Sequence, residues 1–290
     1  MEATVQNIYN NTALPGSGFS AGYGESFCIS IGEKKLLLDT GMFPRKLLHN
    51  MKAAGIDPDQ VDTVVLSHGH RDHTGGLPRL IKSRKTETPL RIVAHPAAFE
   101  KKSVRMFGFK IPMGIPPSLN KFKQRFIIET DTAPVEIAPS LFTTGEISER
   151  PEKDGTEDSI LHEESGKSSR DPILDDISLV LKTAEGLVLI TGCCHAGLLN
   201  TLSLVSAQHK GRIVSIIGGT HMVAYDNEEI DHIGDVLRDR YGSPDLLLNH
   251  CTGSKAIEQL RSRFGSERVR DFYAGSSISF TLQQGDDHDN

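Results

Sequence analysis

The 290-residue chain has no tryptophan, few aromatic residues of any kind, only four cysteines, no excess of basic residues and no long hydrophobic run. Each shortage removes a class of explanation. The longest apolar runs, such as Gly186 to Ile190, fall far short of the ~20 residues needed to cross a bilayer. The opening MEATVQNIYNNTALPG has neither a basic region nor an apolar stretch, so no signal peptide is expected. A formal charge of −6 at pH 7 argues against a nucleic-acid stripe and against attraction to an anionic membrane. Cys28, Cys193, Cys194 and Cys251 form no spaced framework, which suits free thiols in a reducing cytosol. A chain of this length buries a full core without disulfide or metal staples. What stands out is histidine: 12 residues, many in short polar clusters beside glycines.

Short apolar runs bounded by turn residues recur along the chain. They are Phe27 to Ile31, Lys35 to Leu38, Thr63 to Leu66 and Leu90 to Ala94, then Ile177 to Lys182, Leu187 to Thr191, Arg212 to Ile217, Asp245 to Leu248 and Ser277 to Leu282. Their Val, Ile and Leu content predicts strands. Helical spacing marks Leu47, Leu48, Met51 and Ala54, with Gly55 as the stop, and the stretches Leu198 to Gln208, Glu228 to Tyr241 and Ser254 to Phe264. Two strand-rich halves with helices predict two packed sheets covered by helices, an α/β architecture in one domain over 1–290. Two segments depart from it. Residues 100–125 mix Lys and Arg with Phe, Met and three prolines, and read either as a solvated excursion or as a lid over a pocket. Residues 146–176 are acidic and serine-rich, and a mobile loop is expected there. The polar tail QQGDDHDN is expected to be disordered.

The chemistry concentrates in Ser67-His68-Gly69-His70-Arg71-Asp72-His73-Thr74-Gly75-Gly76, directly after the run Thr63 to Leu66. Three imidazoles and a carboxylate thus project from the loop after a buried strand, where α/β sites usually lie. Imidazole is the commonest zinc ligand and carboxylate its usual oxygen partner. His68 and His70 alternate, so both can face one ion, while Asp72 and His73 can face a second. A polar loop that merely happens to be rich in histidine explains this spacing poorly. Two divalent ions, zinc first with manganese or iron as alternatives, are the expected cofactors. They would lower the pKa of a shared water, and Asp72 would serve both as ligand and as the group orienting that water or accepting its proton.

HxHxDH after a strand resembles the metallo-β-lactamase superfamily. Leu36-Leu37-Leu38-Asp39-Thr40-Gly41 is similar to that family's strand ending in Asp-Thr-Gly, at a typical distance from His68. The resemblance implies that Asp39 supports the metal loop by hydrogen bonds. Downstream, TGCCHAGLLNT (Thr191 to Thr201), GGTHM (Gly218 to Met222) and NHCTG (Asn249 to Gly253) resemble one branch, the dihydropterin-ribofuranosyl-aminobenzene-phosphate-synthase-like metallo-hydrolases. The likeness runs from about Gly24 to Phe280. It implies a four-layer αββα sandwich with a dinuclear site on one edge.

Two ions need more ligands than one loop supplies. In the family the strand end at Cys193-Cys194-His195 offers an Asp or Cys, so Cys193 is either a metal-side thiolate or an inert buried thiol. His195, in a Gly-bounded turn between strand and helix, is a candidate ligand. His250 is similar to the family's last histidine ligand, and His221, also after a strand and a glycine pair, replaces or supplements it. The sequence does not rank these four. One departure stands out: where many family members carry a His in a Gly-His-Thr-like element, this chain has Asp175-Asp176-Ile177-Ser178-Leu179. His195 is expected to supply the absent imidazole; otherwise one ion position is short of ligands. His95 ends another short strand and is either a hydrogen-bonded structural residue or a group touching substrate or metal. The glycine-rich start lacks the Lys-Ser/Thr of a phosphate loop and reads as a flexible loop.

The site therefore predicts a metal-dependent hydrolase acting on an ester, phosphoester or related bond of a small, anionic molecule. Lys101, Lys102 and Arg105 are the expected anion contacts. The branch resemblance offers an alternative on the same metal site: a transferase or synthase joining a pterin-like pyrophosphate to an aminobenzene ribosyl phosphate. A di-iron oxygen or nitric-oxide reductase on the same fold would need a Glu in place of a motif histidine and a flavin domain; His70 and the chain length oppose it. A non-catalytic zinc module is disfavoured by the number of glycine-flanked strand ends that converge. Oligomeric state is not legible.

Overall fold

The computed structural model describes residues 1–164 and 166–283. The unbroken run Leu36-Leu37-Leu38 has a simple cause: its strand, Lys34–Leu38, is covered on both faces. Leu36 and Leu38 enter a core between two sheets, whereas Leu37 enters a separate core beneath helices. Val65 and its neighbours Val64 and Leu66 divide in the same way, as do Val188 and Ile190 against Leu187 and Leu189 on the other sheet. A period of two with apolar residues on both faces marks strands buried between layers.

The first sheet has seven strands in the spatial order Ser277–Thr281, Glu2–Tyr9, Ser26–Ile31, Lys34–Leu38, Val61–Val65, Leu90–Ala94 and Phe126–Thr130. It is antiparallel up to Lys34–Leu38 and parallel beyond. The second sheet, also of seven, runs Val269–Asp271, Asp245–Leu248, Ile213–Gly218, Leu187–Thr191, Leu179–Lys182, Leu141–Thr143, Glu136–Ala138, with the first four parallel. Helices Pro44–Ala53 and Leu77–Ser83 cover the first sheet; Leu198–Gln208, Asn227–Asp239 and Ser254–Phe264 cover the second. The result is the expected four layers, helix–sheet–sheet–helix. The helix predicted from Glu228 starts at Asn227 because Asp226 and Glu229 form reciprocal caps, each side chain accepting the other's backbone N–H at 2.9 and 2.8 Å.

Because Lys34–Leu38, Val61–Val65 and Leu90–Ala94 are mutually parallel, as are Leu187–Thr191, Ile213–Gly218 and Asp245–Leu248, each set delivers its following loops to one edge. The two edges meet where the Ile177 N–H donates to the Ser67 carbonyl at 2.9 Å. Every candidate ligand sits in one of these loops.

Two differences from the sequence reading appear. The N-terminal stretch, for which no strand is expected from the sequence, is an eight-residue strand, Glu2–Tyr9. The 100–125 and 146–176 segments are not separate excursions. Lys101–Met106, Phe109–Pro112, Ile160–Glu164 and Lys167–Arg170 form one four-stranded sheet. Its low hydrophobicity misled the reading: much of what the acidic segment buries is carboxylate, at Asp171, Asp175 and Asp176. The tail expected to be disordered lies, from residue 284 onward, outside the described residues.

Candidate metal centre

Three of the imidazoles come from the loop after Val61–Val65, which ends in the single helical turn Arg71–Thr74. His68 and His73 are fully buried and His70 nearly so. His195 arrives from the opposite sheet, in the turn after Leu187–Thr191, and its Nδ1–H donates to the Gly155 carbonyl at 3.2 Å. The two loops touch at Gly192, where a Cβ would collide with the Ser67 hydroxyl and press on Asp39. Only glycine lets them close to this distance.

Two groups of donor atoms result. His68, His70 and His195 form the first, with ligand nitrogens within 4.8 Å of one another. The Nε2 atoms of all three are buried without a hydrogen-bond partner among the described residues. Each such orphan costs about 1–3 kcal/mol, and three convergent ones make a nitrogen donor set suited to a zinc-like ion. Asp72, His73, Cys193 and His250 form the second group. There His73 Nε2 lies 3.1 Å from Cys193 Sγ, 3.3 Å from His250 Nε2 and 3.6 Å from Asp72 Oδ2. The groups adjoin, since the His68 and His73 rings are 4.2 Å apart. The residues present form two donor sets that fit divalent ions: three imidazoles in one, and two imidazoles, a thiol and a carboxylate in the other.

Hydrogen bonds behind the rings aim these lone pairs inward. Asp39, held in the left-handed region at φ 62°, accepts from the Ser67 N–H at 2.8 Å, the Ser67 hydroxyl at 2.6 Å and His73 Nδ1 at 2.6 Å. With its proton committed to Asp39, the Ser67 hydroxyl accepts from His68 Nδ1 at 2.9 Å. His250 Nδ1 donates to Asn11 Oδ1 at 3.1 Å. His68, His73, His195 and His250 are therefore all tied at Nδ1 and present Nε2, the arrangement that orients metal-binding imidazoles.

Asp175 and Asp176 stand where the family's histidine was missing, and they act on the backbone. Asp175 Oδ2 accepts from the Gly69 N–H at 2.7 Å, and Asp176 Oδ2 from the Ala196 N–H at 2.9 Å. One dipeptide thus clamps both histidine-bearing loops. Lys102 Nζ lies between Asp171 at 2.7 Å and Asp175 at 2.9 Å, all three side chains buried.

The electrostatics match ligand roles. Burial holds His68 and His195 well below the usual imidazole pKa and brings His70 down to about 4, so their lone pairs are free at neutral pH. Burial also opposes a charge on His73, but Asp39 and Asp72 outweigh it and push His73 up to about 9. Burial likewise works against Asp72 ionising, yet His73 and His250 hold its carboxyl below the usual range. The second group draws a cation, whether proton or metal.

A third group, Cys193, His221 and Cys251, shares Cys193 with the second. His221 packs at a tilt against His195, with ring centroids 4.2 Å apart. By position, His250 lies with Asp72 and His73, whereas His221 lies with the thiols of Cys193 and Cys251. His95 joins no group. Its Nδ1 accepts from the Ala97 N–H at 3.2 Å and its Nε2 donates to Glu146 at 3.0 Å, which is the structural alternative. Of the expected anion contacts, Lys102 is committed to Asp171 and Asp175, and Arg105 does not line the cavity bounded by the 100–125 segment, whereas Lys101 does. Sequence reasoning missed Cys251, although it directly follows His250 at a strand end. It also missed the clamping role of Asp175 and Asp176, for which no local pattern exists.

Comparison with known proteins points to one family. Residues 21–159 match the family model described as the metallo-beta-lactamase superfamily. The chain is 30% identical over 277 residues to the 7,8-dihydropterin-6-methyl-4-(beta-D-ribofuranosyl)-aminobenzene-5'-phosphate synthase of Methanocaldococcus jannaschii, covering 91% of this chain and 92% of that protein. A crystal structure described as a metal-dependent hydrolase of the beta-lactamase superfamily superposes with a TM-score of 0.80 at 26% identity, over 95% of this chain and 98% of the other.

Proposed function

The chain belongs to the metallo-beta-lactamase superfamily, and from that premise we propose that it is a metal-dependent hydrolase with a dinuclear site. The observation that carries this reading is the convergence of three buried, unpartnered Nε2 atoms beside a second donor group. His68, His70 and His195 would hold one divalent ion, and Asp72, His73, Cys193 and His250 the other, zinc being the best match to a nitrogen, oxygen and sulfur set. Such ions supply Lewis-acid polarisation and a water acidic enough to ionise near neutral pH. The protein's part is positioning. Asp39 and Ser67 lock the His68 and His73 rings, Asp175 and Asp176 fix the loops that carry His70 and His195, and Asp72 offers a carboxylate to orient water and take its proton. The substrate class is a small molecule with an ester, phosphoester or related bond. Free thiols at all four cysteines, one in the second donor group, suit a reducing cytosol. Among the described residues no helix is long and apolar enough to cross a membrane.

The similarity to the synthase favours a second reading, in which the same centre promotes transfer to an organic acceptor instead of water. Metal analysis of the purified protein, then a panel of phosphodiester, lactone, thioester and β-lactam substrates beside an assay for the dihydropterin–aminobenzene product, separates the two. About two metal equivalents and turnover of a panel substrate support the hydrolase, whereas turnover only with an organic acceptor supports the synthase. A folded protein that binds no divalent metal refutes both.

A further inference from the structure

A cavity of about 900 Å³ lies not among the candidate ligands but beside them, between the His68–His73 loop and the 100–128 stretch. Its volume falls within the range of small-molecule sites, ~300–1,000 Å³. Phe99, Ile115, Leu119, Phe126 and Ile128 supply apolar walls. Arg71, Lys101, Lys110 and Lys123 supply cations, against the carboxylates of Glu100 and Glu163. This local excess of positive charge occurs in a chain whose formal net charge is −6. Lys102 also borders the cavity, but its ammonium is neutralised by Asp171 and Asp175.

Arg71 joins the cavity to the candidate centre. It sits between His70 and Asp72, and its Nε–H donates to the Gly114 carbonyl at 2.8 Å. That bond anchors the guanidinium at the cavity wall, where its planar fork suits a carboxylate, sulfonate or phosphate. A second tie runs from Lys102 through Asp175 to the Gly69 N–H inside the metal loop.

We infer that this cavity is a binding site for an organic anion with a ring-sized apolar body, the ring lying against the Phe and Ile walls and the charge meeting Arg71, Lys110 and Lys123. The site goes beyond the metal chemistry and stands on its own geometry. If the anion is also the substrate of the candidate centre, a step that rests on the proposed function, its charged end is the part nearest Asp72.

The test uses 8-anilinonaphthalene-1-sulfonate, an aromatic sulfonate that fluoresces in apolar sites, with the neutral N-phenyl-1-naphthylamine as its uncharged counterpart. The full chain is compared with the double variant Lys110→Glu/Lys123→Glu, both positions being exposed, after circular dichroism and melting show the fold retained. The expected result is one saturable sulfonate site whose dissociation constant rises at least ~10-fold in the variant, about 1.4 kcal/mol, while the neutral probe binds both proteins alike. Sulfonate binding indifferent to the two charge reversals overturns the inference, as does equal loss of both probes. Titrations on metal-stripped protein keep this outcome separate from the proposed function, which stands or falls on metal analysis and turnover.

Discussion

Replacing Lys102 by Met should destabilise the protein by about 3–5 kcal/mol near pH 7, the usual cost of removing one partner from a buried charge cluster. Its ammonium touches Asp171 and Asp175 at 2.7 and 2.9 Å with all three side chains at most 3% exposed. At an effective dielectric near 20, each contact is worth about 6 kcal/mol of gross attraction. Most of that offsets the desolvation of three buried charges. Met leaves the desolvation of two carboxylates and removes the attraction. The pH dependence has a definite sign. Burial opposes ionisation of Asp175, but Lys102 holds its pKa below the usual value. That stabilisation is therefore present above the unfolded carboxylate value near 4 and is lost as pH falls through the lower folded value. In the Met variant the abandoned Asp175 carboxylate takes up a proton more readily, so its deficit should be largest near pH 7 and shrink toward pH 4. Urea unfolding of both proteins at pH 7 and pH 4 measures this. A deficit below about 1 kcal/mol at pH 7, or one of equal size at both pH values, would refute the reasoning. Neutralising all three partners together, with Asp171→Asn and Asp175→Asn added, should recover most of the loss, because the side-chain amide introduced by Asp175→Asn keeps an oxygen for the Gly69 N–H.

Asp39→Asn should leave the fold intact but weaken metal binding by roughly 10–100-fold, the usual effect of disturbing the groups behind metal-binding imidazoles; competition with a chromophoric chelator reads this, and unchanged affinity would contradict the role given to Asp39. Gly192→Ala should cost about 1–3 kcal/mol through overpacking and release metal, because its Cβ meets Ser67 and Asp39; thermal melts with metal analysis would show both. Glu25 is fully buried, both its carboxylate oxygens are unpartnered among the described residues, and burial raises its pKa well above the usual value. A raised carboxyl stabilises below the unfolded pKa and ceases to do so as pH rises through the folded one. Glu25→Gln should therefore gain on the wild type as pH rises from 5 to 9 in urea unfolding, and a pH-independent difference would count against this environment for Glu25.

Much of the site was legible because its residues follow one another. His68, His70, Asp72 and His73 are adjacent in sequence, so a strand followed by a loop already places them together. His195, His221 and His250 were each marked by a strand end, yet their assignment to separate groups depends on how the second sheet's loops meet the first, which no single-strand pattern encodes. The 146–176 segment was misread because its composition is polar. Three of its carboxylates, Asp171, Asp175 and Asp176, are buried nonetheless, held by Lys102 and by the backbone N–H groups of residues 69 and 196.

By itself the sequence determined the layered fold, through apolar runs that alternate between two cores, and the histidine-rich loop at the candidate centre. Only the tertiary structure decided which donor atoms lie together, that Asp175 and Asp176 accept from backbone N–H groups, that His95 hydrogen-bonds to Ala97 and Glu146, and that the basic segment walls a cavity beside the candidate centre. The physical reason is range. Strand periodicity and loop spacing act over a few residues, whereas charge burial, cavity shape and donor convergence arise from contacts between segments tens to more than a hundred residues apart, such as Lys102 with Asp175 and His73 with Cys193 and with His250.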